Sequence, residues 1–180
     1  MKILLAITGA SGLQYGIRLA EILRKKKHDV TIIVTEGAKN VAKYEEVKLP
    51  KGDYGERDFS CPYVSGSNPP DAMVVIPCSL KSLGEIANGI SSNIVGRCAE
   101  VVLKERKQLI LLVRETPLSL IAIENMRRIT LSGGTIMPAC PGFYHKPKKI
   151  DDIINFIVGR VLDHLGIEHN LIKRWKDSTR

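Results

Sequence analysis

Five consecutive large aliphatics, Leu109 to Val113, stand between charged segments, and Arg114-Glu115 follows them directly. A run this short and this apolar fits a strand covered on both faces, as in a parallel sheet. Thr116-Pro117 then reads as an N-cap followed by a proline in the first helical turn, so the next helix is expected at once. Arg114 and Glu115 are thereby expected at the carboxyl end of the strand, the edge where open α/β sheets bind their ligands. A solvated ion pair at a strand end accounts for the same two residues equally well.

The rest of the chain repeats this alternation. Ile3 to Ile7 reads as a buried strand, Thr8-Gly-Ala-Ser-Gly12 as a turn, and Gly16, Leu19, Ala20 and Leu23 as one face of a helix. Val30 to Val34 supplies a second strand, ending in Thr35-Glu-Gly37, with a helix through Val41 to Glu45. Ala72 to Ile76 is a third strand, after which Ser79 can cap a helix. Leu109 to Val113 is the fourth strand and Thr135 to Met137 the fifth. Helices are expected at 94 to 105, 118 to 131 and 150 to 165. Residues 46 to 70 carry Pro and Gly without clear periodicity and form the one long excursion, a candidate functional loop. Strands alternating with helices imply a doubly wound parallel α/β sheet. Neither an internal repeat nor an interdomain linker is visible, so residues 1 to 180 are expected to form one domain.

The 180 residues suffice for a substantial core. An excess of 27 Lys and Arg over 19 Asp and Glu gives a charge of +8, a field that favours anionic ligands. Nucleic acid is disfavoured, because no aromatic-interleaved basic stripe accompanies the charge. Lys25-Lys26-Lys27 is expected at a helix carboxyl end, where it complements the dipole. The cysteines at 61, 78, 98 and 140 are too widely spaced for short-range metal patterns and read as neutral thiols in a reducing compartment. The apolar run at the amino terminus is too short for a membrane span and lacks a full signal-peptide layout, so cytoplasm is the simplest location.

Three strand ends carry small or hydroxylated turns: Thr8 to Gly12, Thr35 to Gly37, and Pro77-Cys-Ser-Leu-Lys-Ser82. Backbone N–H groups at helix starts, joined by hydroxyls, suit phosphate and the polar edge of a heterocycle. The first turn is neither a G-x-G-x-x-G fingerprint nor a P-loop, and a purely structural turn fits it almost as well. Lys81, Arg97, Lys104, Arg114 and Arg160 would suit a phosphate or diphosphate if their elements converge. The four histidines show no paired-ligand spacing, and no Ser/His/Asp triad is evident, so catalytic zinc and a hydrolase triad are disfavoured.

From residue 2 to about 175, the chain resembles the flavin prenyltransferases of the UbiX/Pad1 type. The matching blocks are Thr8-Gly-Ala-Ser-Gly-Leu-Gln-Tyr-Gly16, Ser65-Gly-Ser67, Pro77-Cys-Ser-Leu-Lys-Ser-Leu83, Arg97-Cys-Ala-Glu-Val-Val-Leu-Lys-Glu-Arg106, Arg114-Glu-Thr-Pro117 and Pro141-Gly-Phe-Tyr-His-Lys-Pro147. The resemblance implies a three-layer, Rossmann- or flavodoxin-like α/β subunit in a homo-oligomer, commonly a dodecamer, with FMN at subunit interfaces. FMN would be held by Gly9, Ala10, Ser11, Thr35, the turn Ser79, Leu80, Lys81 and Ser82, and Arg97. The implied reaction joins a dimethylallyl group from dimethylallyl phosphate to reduced FMN, first at N5 and then at C6. The product, prenylated FMN, would serve UbiD-type decarboxylases. Lys104, Arg114, Tyr144 and Arg160 would grip the prenyl phosphate, Glu115 and Ser11 would assist proton movement, and Glu45 falls on another active-site position. No metal is implied, and the absence of a D-D-x-x-D motif agrees, since Asn155 follows Asp151-Asp152 at the last position.

The chain departs from the family in having Phe59 where Trp is common and Ser82 where Thr is common. The closest alternative is a flavin-dependent cysteine decarboxylase, but such relatives use a catalytic His and a Pro-Ala-Ser-Ala-Asn-type turn where this chain has Pro77-Cys-Ser-Leu-Lys81. An aromatic-acid decarboxylase, a flavodoxin-like electron carrier and a nucleic-acid-binding module rank lower. On purely structural readings, Tyr144 is a packed aromatic, Arg160 a helix-surface charge and Ser11 a helix cap.

Overall fold

A computed structural model describes residues 1–172, 174 and 175. Its strands are β1 (Lys2–Ile7), β2 (Asp29–Val34), β3 (Tyr54–Gly55), β4 (Ala72–Cys78), β5 (Gln108–Val113) and β6 (Thr135–Pro138). The helices are α1 (Leu13–Lys25), α2 (Glu36–Tyr44), α3 (Leu80–Ala87), α4 (Ile94–Lys104), α5 (Leu120–Leu131) and α6 (Ile150–His164). The chain groups into two compact units, Met1–Pro138 and a second beginning at Ala139.

The first unit is built on a six-stranded sheet of order β3-β2-β1-β4-β5-β6, with every pairing parallel. The chain winds outward from β1 through β2 to β3, returns to β4 and winds outward the other way. The order therefore reverses between β1 and β4, where a crevice opens beyond the strand ends. The aliphatic runs become strands because both faces are covered: all seven residues of β4 are buried. Successive residues point to opposite faces. Leu4 and Ala6 pack with Leu83, Val95, Val102 and Ile129 from α3, α4 and α5. Ile7 instead meets α1 at Gly16, where an added Cβ would lie 2.4 Å from the Ile76 carbonyl oxygen, so only glycine lets this helix sit so low on the sheet.

The expected strands and helices recur with boundaries shifted by a few residues, and two local expectations are corrected. The helix after β5 does not start at Thr116-Pro117. That peptide is cis, and α5 begins at Leu120, where the Ser119 hydroxyl accepts the Ala122 amide at 3.2 Å. Ser119 stands in extended backbone and supplies the hydroxyl that the first turn of α5 uses. The helix after β2 is longer than Val41 to Glu45, because the Thr35 hydroxyl accepts the Ala38 amide and starts it at Glu36.

Within the 46–70 excursion the chain forms β3 and a single 3-10 turn, Pro62–Val64. Asp53 prepares the short strand: its carboxylate accepts the Ile32 amide and its own amide donates to the Ile32 carbonyl, each at 2.8 Å. Lys25 ends α1 and Lys26 caps it, as the dipole favours. In the second unit, Asp152 caps α6 by accepting the Lys148 and Lys149 amides at 2.9 and 3.2 Å.

Candidate active site

A cavity of about 480 Å³ opens at the carboxyl ends of β1, β2, β4 and β5. Gly9 and Ala10 line it from the first turn, Thr35 from the second, Ser79 to Ser82 from the third, and Arg114 and Glu115 from the end of β5. The turns are fastened to one another across the reversal point. The Thr8 hydroxyl donates to the Pro77 carbonyl at 2.7 Å and accepts the Ser79 amide at 2.9 Å, while Thr35 Oγ donates to the Ile7 carbonyl at 3.3 Å. Ser79 caps α3 through the Ser82 amide, and its hydroxyl donates to that of Ser82 at 3.1 Å. Gly9 lies so close to the start of α2 that an added Cβ would stand 2.8 Å from the backbone of Gly37.

The start of α1 is closed from a distance. Gly12, at φ +90°, is the N-cap and provides no side chain, so Ser11 is not the cap. Glu45 takes that role: its two carboxylate oxygens accept the Gly12 amide at 2.8 Å and the Leu13 amide at 3.3 Å. A carboxylate there satisfies orphan donors and complements the positive end of the helix dipole. Ser11 contributes its carbonyl oxygen, which accepts Arg114 Nε at 3.2 Å. Arg114 also lies 3.9 Å from Glu115, whose carboxylate accepts the Thr116 amide at 3.0 Å. The cavity mouth thus carries a guanidinium and a carboxylate side by side, each about one-third exposed.

The other expected site residues are distributed differently. Lys81 lines the cavity and pairs with Glu85 at 3.7 Å. Arg97 and Lys104 are not among the lining residues. Arg97 donates from Nε to the Val64 carbonyl at 3.0 Å and pairs with Glu100, and Lys104 pairs with Glu105 against Gly66, so both flank the Ser65-Gly-Ser67 turn. In the second unit, Tyr144 meets Phe156, His145 and Trp175 edge to face and is 43% exposed, so the aromatic packs without being engulfed. Arg160 pairs with Asp163 at 2.8 Å. Phe59 is exposed.

Sequence reasoning missed Glu36, Gly37, Glu56, Asn93 and Val95, which also line the cavity. Glu36 and Gly37 stood in a recognised strand-end turn. Asn93 carried a legible signal, an Asn before an apolar helix; its side chain accepts the Gly96 amide at 3.0 Å and caps α4. Glu56 had none, because it follows a two-residue strand.

All four cysteines are free; Cys61, Cys78 and Cys98 are buried and Cys140 is exposed. Burial pushes the Cys78 thiol up to about 12. The pairing of the two buried thiols lowers Cys61 and, together with burial, raises Cys98. Among the described residues no group of three or more His, Cys, Asp or Glu gathers as a metal site, and no helix is long and apolar enough to cross a membrane.

A parallel sheet with glycine- and hydroxyl-rich turns around a cavity at its order reversal is the architecture of a nucleotide-binding α/β protein. Residues 1–162 match the family model described as Flavoprotein. A protein from Methanocaldococcus jannaschii called flavin prenyltransferase UbiX is 49% identical over 182 residues, spanning 97% of this chain and 98% of its own. The crystal structure of AnUbiX (PadA1) in complex with FMN and dimethylallyl pyrophosphate aligns with a TM-score of 0.93 at 37% identity, over 97% of each chain. A dodecameric FMN-dependent UbiX-like decarboxylase from Escherichia coli O157:H7 aligns at 0.89, also 37% identical, over 98% of this chain and 100% of its own. The chain belongs to the flavoprotein family and, within it, to the UbiX flavin prenyltransferases.

Proposed function

We propose that this chain is a flavin prenyltransferase that transfers the dimethylallyl group of dimethylallyl phosphate to N5 and C6 of reduced FMN, without a metal, releasing phosphate. The observation that carries the reading is the cavity at the β1/β4 reversal, with hydroxyl-capped helix starts on one side and the Arg114–Glu115 pair at its mouth. The residues present fit FMN: the α2 and α3 starts, with Thr35, Ser79 and Ser82, offer amides and hydroxyls suited to a phosphate, and the Gly9 backbone can approach a ligand closely. Gly9, Ala10, Ser11, Thr35 and the Ser79 to Ser82 turn would hold it. Reduced FMN, once bound, supplies the nucleophilic ring positions.

The chain's own groups orient the donor and stabilise charge. As the allylic C–O bond breaks, charge grows on the departing phosphate, and fixed guanidinium, ammonium and phenol groups act there without needing to reorganise. Arg114, Lys104, Tyr144 and Arg160 take this part by the family resemblance, with Ser11 and Glu115 moving protons. Glu45 acts by holding the first turn through the Gly12 and Leu13 amides. Arg97 and Lys104 stand apart from this chain's own cavity, so in a homo-oligomer with sites at subunit interfaces they would serve the cavity of a neighbouring copy. A dodecamer, the cytoplasm, and delivery of prenylated FMN to a UbiD-type decarboxylase complete the reading. Four free thiols fit a reducing compartment.

The test mixes purified protein, FMN, dithionite and dimethylallyl phosphate with EDTA and follows flavin mass and absorbance. A flavin heavier by one prenyl unit is expected. No mass gain with the monophosphate or the diphosphate donor would remove the reading, and a gain abolished by EDTA would remove its metal independence.

A further inference from the structure

The second unit gathers three donors onto one carboxylate. Arg160 Nη1 donates to Asp163 Oδ2 at 2.8 Å, Arg174 Nη2 donates to Oδ1 at 2.8 Å, and His169 Nε2 lies 3.1 Å from Oδ1. The imidazole tautomer follows from its other nitrogen. His169 Nδ1 accepts the Leu171 amide at 3.2 Å, so the proton sits on Nε2 and is donated to Asp163. The ring is 2% exposed, and it lies against α6 at Gly159, where an added Cβ would stand 2.9 Å from Cε1.

The arrangement is layered. The Asp163 side chain is 17% exposed, whereas those of Arg160 and Arg174 are 47% and 50% exposed. The carboxylate therefore lies beneath two guanidiniums that face outward. Burial alone would raise its carboxyl, but the hydrogen bond and charge of Arg174, with His169, hold it below the usual carboxylate range. Asp163 also stands in the last turn of α6, where the helix dipole opposes a negative charge. Its position is explained by what it holds, since the helix end itself gains nothing from it.

A guanidinium has five donors in a fixed fork, and among the described residues the Asp163 tether takes Nη1 of Arg160 while no other acceptor takes its Nε or Nη2. Two guanidiniums share one carboxylate, so the Arg160–Asp163–Arg174 group carries one net positive charge. Two guanidiniums fixed on a shared carboxylate form a pre-oriented receiver for a doubly charged phosphate.

We propose that Asp163 is a positioning residue that holds Arg160 and Arg174 as a paired receiver for the phosphate of the prenyl donor, with Arg174 as a further donor-binding residue. The role of Arg160 rests on the function proposed above; the pairing with Arg174 through Asp163 goes beyond it.

Asp163→Asn and Asp163→Glu are compared with the parent chain in four measurements: KM for dimethylallyl phosphate at saturating reduced FMN, kcat, inhibition by inorganic phosphate, and FMN affinity from flavin fluorescence. For Asp163→Asn, KM and the phosphate inhibition constant are expected to rise together by roughly tenfold, the scale of one charge-assisted bond, while FMN affinity stays unchanged. Asp163→Glu restores most of the loss. Unchanged KM and phosphate inhibition would overturn the proposal. So would a parallel loss of donor affinity, FMN affinity and melting temperature, because that marks a staple for the chain after α6. If Asp163→Asn does not fold, Arg174→Gln carries the test, and an unchanged KM there overturns the pair. If the parent chain makes no product, the functional reading fails by itself. The receiver is then tested by the melting temperature with and without inorganic phosphate: a phosphate-dependent rise lost in Arg174→Gln supports it, and no rise overturns it.

Discussion

Arg114 Nε donates to the Ser11 carbonyl oxygen at 3.2 Å, a bond between residues 103 positions apart that ties the end of β5 to the first glycine turn. The cation is held by the very loop expected to hold the flavin, so binding of one ligand and orientation for the other share a structural element.

Arg114→Lys keeps the charge and loses the fork. A lysine ammonium cannot donate to Ser11 and present a second planar edge outward at once. The expected result is a fall in kcat/KM for the prenyl donor of roughly tenfold or more, with folding intact. Steady-state kinetics beside a melting curve check it; full activity would show that charge alone suffices.

Glu45→Gln leaves one acceptor for the two amides at the start of α1 and removes the charge that complements the dipole. Stability should fall by about 1 kcal/mol, as for the loss of a helix cap. Urea unfolding measures this. A larger loss of activity than of stability would mark a direct chemical role for Glu45.

Gly9→Ala forces a methyl group to 2.8 Å from the Gly37 backbone, where nothing flexible can give way. Overpacking of this kind costs about 1–3 kcal/mol, and FMN affinity should drop with it because the displaced segment is the cavity wall. Gly55→Ala is the control: no atom lies within 4 Å of its added Cβ, and both stability and flavin affinity should hold.

The four thiols should separate by access. Cys140 is exposed and should react with a thiol reagent in the native protein at pH 8. Cys78 should stay silent until denaturant is added, being buried with its thiol pushed up to about 12. Cys61 is lowered by the neighbouring Cys98 thiol, yet is only 1% exposed, so it too should wait for unfolding. One fast thiol per chain by mass spectrometry is the expected count; rapid modification of Cys61 would mean that the segment around Pro62–Val64 opens readily.

Strands β1, β4 and β5 were legible because burial on both faces demands uninterrupted aliphatics, and such runs stand out in any sequence; β2, interrupted by Thr31 and buried only over its last three residues, was legible from its β-branched composition. Residues Tyr54–Gly55 were not, since two residues hold no period and their pairing depends on Asp53 reaching the Ile32 backbone. The sequence places the helix start at Thr116 and the structure at Ser119: both residues offer a hydroxyl, and only the fold shows which one meets a helical amide. In the site, the glycine and hydroxyl turns could be read from their composition. The capping of α1 by Glu45 could not, because it spans 33 residues and follows from tertiary packing alone. The attachment of two arginines to Asp163 was equally invisible, a lone acid among helix charges.

The two borders of the sheet govern how copies of this chain can meet. One border is β3, with a pairing register of two residues, and the other is β6, four residues ending in Pro138. Brevity on one side and a residue without an amide proton on the other deny an incoming strand a ladder to extend. Contacts between copies are thereby left to side chains on helices and loops, which recognise shape and charge. An assembly formed that way cannot grow by running one sheet from copy to copy.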